Sequence, residues 1–149
     1  MTTPSTTADA GSAGTIEREL RIAARPETVF RFFTDPERMV RWMGRTAELD
    51  PRPGGRFRID YNGSDIAVGS YLVVDPPRRV VFTWGWEAPG DVTPPGASTV
   101  EVTLDPDGET GTRLRLRHTE LPLDAVAGHA EGWDQFLPAL VSAVAGDAT

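Results

Sequence analysis

With 149 residues, a net charge of −7, 39% hydrophobic and 25% charged positions, the chain has the make-up of one ordinary globular domain, long enough to bury about 68–70% of its unfolded surface. Cysteine is absent, which excludes disulfides, thiolate nucleophiles and cysteine-held zinc, and all 15 basic residues are arginine, which excludes a lysine Schiff base. The acidic balance disfavours nucleic acid and anionic membranes, and no apolar run approaches the ~20 residues of a membrane span, so the expectation is a cytoplasmic protein with no cofactor.

Residues 1–14, rich in Thr, Ser, Ala and Gly, have neither a basic nor an apolar leader segment and read as a disordered tail. Residues 15–146 then read as a single domain. Ile16, Arg18, Leu20 and Ile22 alternate with charged residues at strand period, and Arg18 within the apolar phase suggests an edge strand. Pro26 and Glu27 suit the first turn of a helix carrying Val29, Phe30, Phe32 and Phe33. Asp35-Pro36-Glu37 caps a second short helix bearing Met39, Val40 and Trp42, and Pro36 disfavours continuity between the two.

Phe57, Ile59 and Tyr61 alternate with Arg56, Arg58 and Asp60 in a half-buried strand. Asn62-Gly63 predicts a tight primed hairpin turn leading to a strand over 66–74. Asp75-Pro76-Pro77 ends that strand, and residues 78–87 follow as another, with Val80, Phe82, Trp84 and Trp86 on one face. Residues 88–97 hold three prolines and two glycines and form a loop, a candidate cavity rim. A second hairpin pairs Val100, Val102 and Leu104 with Leu114, Leu116 and His118 across a turn over 105–111. Val126, His129, Trp133, Phe136, Leu137, Leu140, Val141 and Val144 then recur at helical spacing, predicting a helix over 124–145, with Gly132 allowing close approach to the strands and Pro138 kinking it.

This order of elements resembles the helix-grip fold of the START-like (SRPBCC) superfamily, and within it the Aha-type family named for the C-terminal domain of activators of a heat-shock chaperone ATPase. The residues that carry the resemblance are Pro26-Glu27-Thr28-Val29-Phe30, Thr34-Asp35-Pro36-Glu37 with Trp42, Gly54-Gly55, Val74 through Trp84, and Gly132-Trp133. The resemblance implies an α+β domain: a curved antiparallel sheet around a long C-terminal helix, two short helices near the N-terminus, and a cavity between sheet and helix. Relatives of this kind include binders of hydrophobic ligands, polyketide cyclases and aromatases, stress-linked regulators and chaperone activators.

Candidate cavity residues are Trp42, Tyr61, Trp84, Trp86, His118, Trp133 and Phe136. Singly, each aromatic suits plain core packing, Trp133 most of all; together they suit a wall that holds an apolar or aromatic molecule. His118 shares the inward phase of Leu114 and Leu116, where it either forms a hydrogen-bonded core group or, with Tyr61, polarises a ligand carbonyl. His129 is a weaker candidate, and the two histidines lack a metal-binding pattern. Arg113, Arg115 and Arg117, with Arg56 and Arg58, read as a solvated outer sheet face with acidic neighbours such as Glu101. The expected function is binding of a small hydrophobic or aromatic molecule. The alternatives are a cyclase-like enzyme using His118 and Tyr61, and an interaction module with a chaperone partner or a second copy of the chain.

Overall fold

The computed structural model describes residues 14–88, 91 and 93–147. The expected tail therefore lies outside the described residues, apart from Gly14, which opens the first strand. Seven strands form one antiparallel sheet: β1 (Gly14–Ile22), β2 (Thr46–Leu49), β3 (Arg56–Asp60), β4 (Ile66–Asp75), β5 (Arg79–Trp84), β6 (Ser98–Asp107) and β7 (Gly111–Leu121). Their order is β1-β7-β6-β5-β4-β3-β2, so β1 is an edge strand as its pattern predicts. Three helices accompany the sheet, α1 (Pro26–Arg31), α2 (Pro36–Met39) and α3 (Val126–Asp147), the last entered through a 3-10 turn at Leu123–Ala125. This is the helix-grip arrangement.

Local chemistry explains the short helices. Pro26 opens α1, and Asp35 stops the chain from continuing it: the Asp35 carboxylate accepts the Glu37 N–H at 3.0 Å, with Pro36 at the first helical position. Helix α2 is shorter than its apolar residues suggest. It ends at Met39, so Trp42 lies beyond it, where its indole N–H donates to Phe32 O at 2.9 Å.

Three turns and strands depart from the sequence expectation. Asn62-Gly63 does not make a two-residue turn, since β3 and β4 pair only as far as Asp60 and Ile66. The Asn62 side-chain carbonyl accepts from both Ser64 N and Asp65 N, at 2.9 and 2.8 Å, and this local bonding widens the loop. Strands β6 and β7 run closer to the turn than predicted, through Pro106. Leu104 N–H points to Arg78 O at 2.7 Å, so two residues later Pro106 faces the same side, beyond the last β5 pair at Thr103. Its missing N–H interrupts no ladder there. Strand β2 is short and exposed, with a burial pattern too shallow to carry a signal.

The concave side of the sheet buries the core. Phe57 stacks on Phe82 with ring centroids 4.2 Å apart, and the fully buried Tyr71 donates its hydroxyl to Phe33 O at 2.8 Å, tying the sheet to the segment between α1 and α2. Tyr71→Phe removes that bond and leaves the Phe33 carbonyl unpaired in the interior. We expect a loss of about 1–2 kcal/mol in the unfolding free energy, read by urea titration. Helix α3 faces the same core with Trp133, Leu137, Leu140 and Val144. Its outer edge is fixed by Arg18–Asp134 at 2.7 Å and its end by Arg41–Asp147 at 2.7 Å. On the convex side, Arg113 pairs with Glu19, Arg115 with Asp105 and Arg117 with Glu17, all at substantially exposed positions. The arginine row is thus a solvated charge lattice, with each exposed pair contributing little.

Candidate functional site

Between the first half of α3 and the end of β5 lies a cavity of about 560 Å³. Its depth comes from where bulk is present and where it is missing. Trp84 and Trp86 share one strand phase and face inward, their rings 5.6 Å apart and nearly perpendicular. Gly85 between them lets the following loop press close, because a Cβ there would sit 1.8 Å from Pro94 O. That loop is pinned by Trp86 N–H donating to Thr93 O at 2.7 Å and by Thr93 N–H donating to Asp91 Oδ1 at 2.8 Å. Tyr61 closes one side, 5.6 Å from both Trp86 and Phe136.

The facing wall is helical and partly empty. Gly128 and Gly132 stand one turn apart on α3 and line the cavity, and a Cβ at either would meet nothing within 4 Å. Gly132 therefore leaves room for the cavity; it does not bring the helix against the strands, which corrects the sequence expectation. A helical glycine costs about 1 kcal/mol relative to alanine. Two of them on one face hold the space open.

Of the seven aromatic and polar candidates, Tyr61, Trp84, Trp86, Trp133 and Phe136 line this space. Trp42 and His118 do not. Trp42 packs edge-on against Phe33 at 5.3 Å, away from the cavity. His118 is fully buried behind Trp133 and Trp84, where the Trp133 indole N–H donates to its Nδ1 at 3.0 Å and its Nε2 lies 2.8 Å from Ser98 Oγ. Because Ser98 Oγ donates to Trp84 O at 2.8 Å, it is free to accept, which assigns the proton of His118 to Nε2. Burial, and secondarily the neighbouring His129, lower the His118 pKa to about 3.

His129, the weaker histidine candidate, does line the cavity. Its Nδ1–H donates to Ala125 O at 2.8 Å, and its Nε2 accepts the Trp86 indole N–H at 3.0 Å. Each histidine thus accepts a hydrogen bond from a tryptophan indole N–H. The Tyr61 hydroxyl is held above its usual range by burial, and no ring contact or hydrogen bond joins it to His118. No cluster of three metal-ligating side chains occurs among the described residues. Ala88, Asp91 and Thr93 line the cavity from the loop 88–97, in keeping with its reading as a candidate rim, whereas Asp65 and Asp124, from a loop and a helix start where periodicity carries no information, were missed.

The family model described as activator of Hsp90 ATPase homolog 1-like protein matches residues 23–145, which takes in α1 through α3 and both walls of the cavity. The chain belongs to this family. Among solved structures, the AHSA1-like protein RHE_CH02687 from Rhizobium etli is 41% identical with a TM-score of 0.70, covering 90% of this chain and 83% of its own. MLL2253 from Mesorhizobium loti is 28% identical with a TM-score of 0.77, covering 88% and 96%. A curated relative, C1711.08 of Schizosaccharomyces pombe, is 28% identical over 99 residues, 64% of this chain and 26% of that protein's length. This AHSA1-like chain therefore corresponds to about a quarter of the yeast protein it matches. No described helix is long and apolar enough to cross a membrane.

Proposed function

We propose that this AHSA1-like domain binds a small apolar or aromatic molecule between α3 and the sheet. The observation that carries the reading is the 560 Å³ cavity walled by Tyr61, Trp84, Trp86, Trp133 and Phe136, with Gly128 and Gly132 keeping side chains out of it. Its size is that of a small-molecule site, and its aromatic faces supply contact area and stacking. An acid–base enzyme built on His118 and Tyr61 has less support, since the two are not joined and both ring nitrogens of His118 are engaged.

The test is native mass spectrometry of the protein purified from its own host, followed by extraction of any retained compound. A retained apolar molecule that raises the melting temperature of the emptied protein is the expected result. A protein that arrives empty, gains no stability from a panel of aromatic compounds, and instead retains a chaperone would overturn the reading in favour of an interaction module.

A further inference from the structure

Three of the four indole N–H groups have acceptors within the protein: Trp42 on Phe32 O, Trp86 on His129 and Trp133 on His118. The fourth, Trp84 Nε1, is buried without a partner among the described residues, and so is Thr93 Oγ1. Trp84 and Thr93 are 3% and 0% exposed, and both line the cavity. A buried donor left without an acceptor is costly, and the indole N–H can only donate. The lining charge is one-sided as well. Asp65, Asp91 and Asp124 lie in the wall, no arginine does, and none of the three aspartates forms an ion pair among the described residues.

We propose that the cavity is made for an aromatic ligand bearing an uncharged carbonyl-type acceptor, which receives the Trp84 indole N–H, and that its aspartates turn away carboxylates and other anions. This rests on the ligand-binding reading and specifies its chemistry. The Thr93 hydroxyl, able to donate or accept, is a second contact for the same polar group. The carboxylates leave neutral and cationic ligands admissible, with cations favoured further by the aromatic faces.

Three probes on one skeleton separate these elements: 2-acetylnaphthalene, 2-ethylnaphthalene and 2-naphthoate, titrated at pH 7.5 and low salt by calorimetry. The ketone is expected to bind about tenfold tighter than the ethyl compound, the scale of one satisfied buried hydrogen bond. The carboxylate is expected to bind at least about tenfold more weakly than the ketone, with the gap narrowing as salt rises. In ¹H–¹⁵N spectra of the assigned wild-type protein, the Trp84 indole resonance is expected to move with the ketone and stay with the ethyl compound. Trp84→Phe, which keeps an aromatic ring, is expected to abolish the ketone's advantage; the wild-type resonance decides if that variant does not fold.

Equal binding of ketone and ethyl compound with an unmoved Trp84 resonance overturns the acceptor assignment while leaving the ligand-binding reading intact. Naphthoate binding as tightly as the ketone overturns the exclusion of anions. Failure of all three probes to bind overturns both proposals.

Discussion

The unfolding free energy is expected to fall by about 1.4 kcal/mol for each pH unit below 6.5, a loss of about 2 kcal/mol by pH 5 relative to pH 7.5. The cause is His118. Burial first, and the repulsion that a proton on His118 would meet from the neighbouring His129 ring second, bring its folded-state pKa from 6.5 down to about 3. Between those limits the unfolded chain binds a proton that the folded chain refuses. The stabilisation is therefore complete above pH 6.5, is lost as pH falls, and stops changing near pH 3. Protonating the ring inside the fold would require Nδ1 to give up the Trp133 indole N–H, and no carboxylate is hydrogen-bonded to the ring to receive the new charge.

The window isolates this residue from the acidic side chains. Asp134 and Asp147 are held below the usual carboxylate range by hydrogen bonds from Arg18 and Arg41, so their stabilising effect is lost only at lower pH. Urea titrations at pH 7.5, 6.5, 5.5 and 5.0 on the wild type and His118→Gln provide the check, since Gln retains a donor and an acceptor without titrating here. A flatter profile for the variant is expected. Equal slopes would show that His118 does not carry the effect, whatever the variant's absolute stability.

The fold and the site were legible in the sequence to different degrees, for physical reasons. Strand phase records which side of the sheet a residue faces, so Val80, Phe82 and Trp84 read correctly as inward and Arg113, Arg115 and Arg117 as outward. Helical spacing likewise exposed the buried stripe of Trp133, Leu137, Leu140 and Val144, two residues off at the helix ends. Phase does not record depth. His118 and Trp84 both point inward and both pack against Trp133 of α3, yet His118 is sealed in the core while Trp84 also lines the cavity, a difference that strand phase does not carry. Side-chain competition was equally hidden. Asn62-Gly63 carries the pattern of a tight turn, but the Asn62 carbonyl captures two backbone N–H groups and enlarges the loop, which brings Ser64 and Asp65 to the cavity. Gly132 held the most information about the site and was read in the wrong sense, because a glycine beside a buried tryptophan fits close packing and a preserved void equally well.

That void yields the second large effect. Gly132→Phe is expected to weaken binding of any cavity ligand by at least about tenfold while leaving the protein folded, because a side chain built on this Cβ extends into unoccupied space. Occupying the site from within removes ligand contacts without breaking any hydrogen bond, and replacing helical glycine favours α3 in itself. Gly132→Ala separates the two consequences. Its single methyl group meets nothing within 4 Å, so it should raise the unfolding free energy by about 0.4–1 kcal/mol and leave most of the affinity in place. Calorimetric titration with 2-acetylnaphthalene, beside urea unfolding of both variants, reads the pair. If the phenylalanine variant binds as well as the wild type, the ligand does not lie against this turn of α3, and the wall of Gly128 and Gly132 loses its role in recognition. If the alanine variant is destabilised, the space beside Gly132 is filled in solution, and the cavity is smaller than 560 Å³.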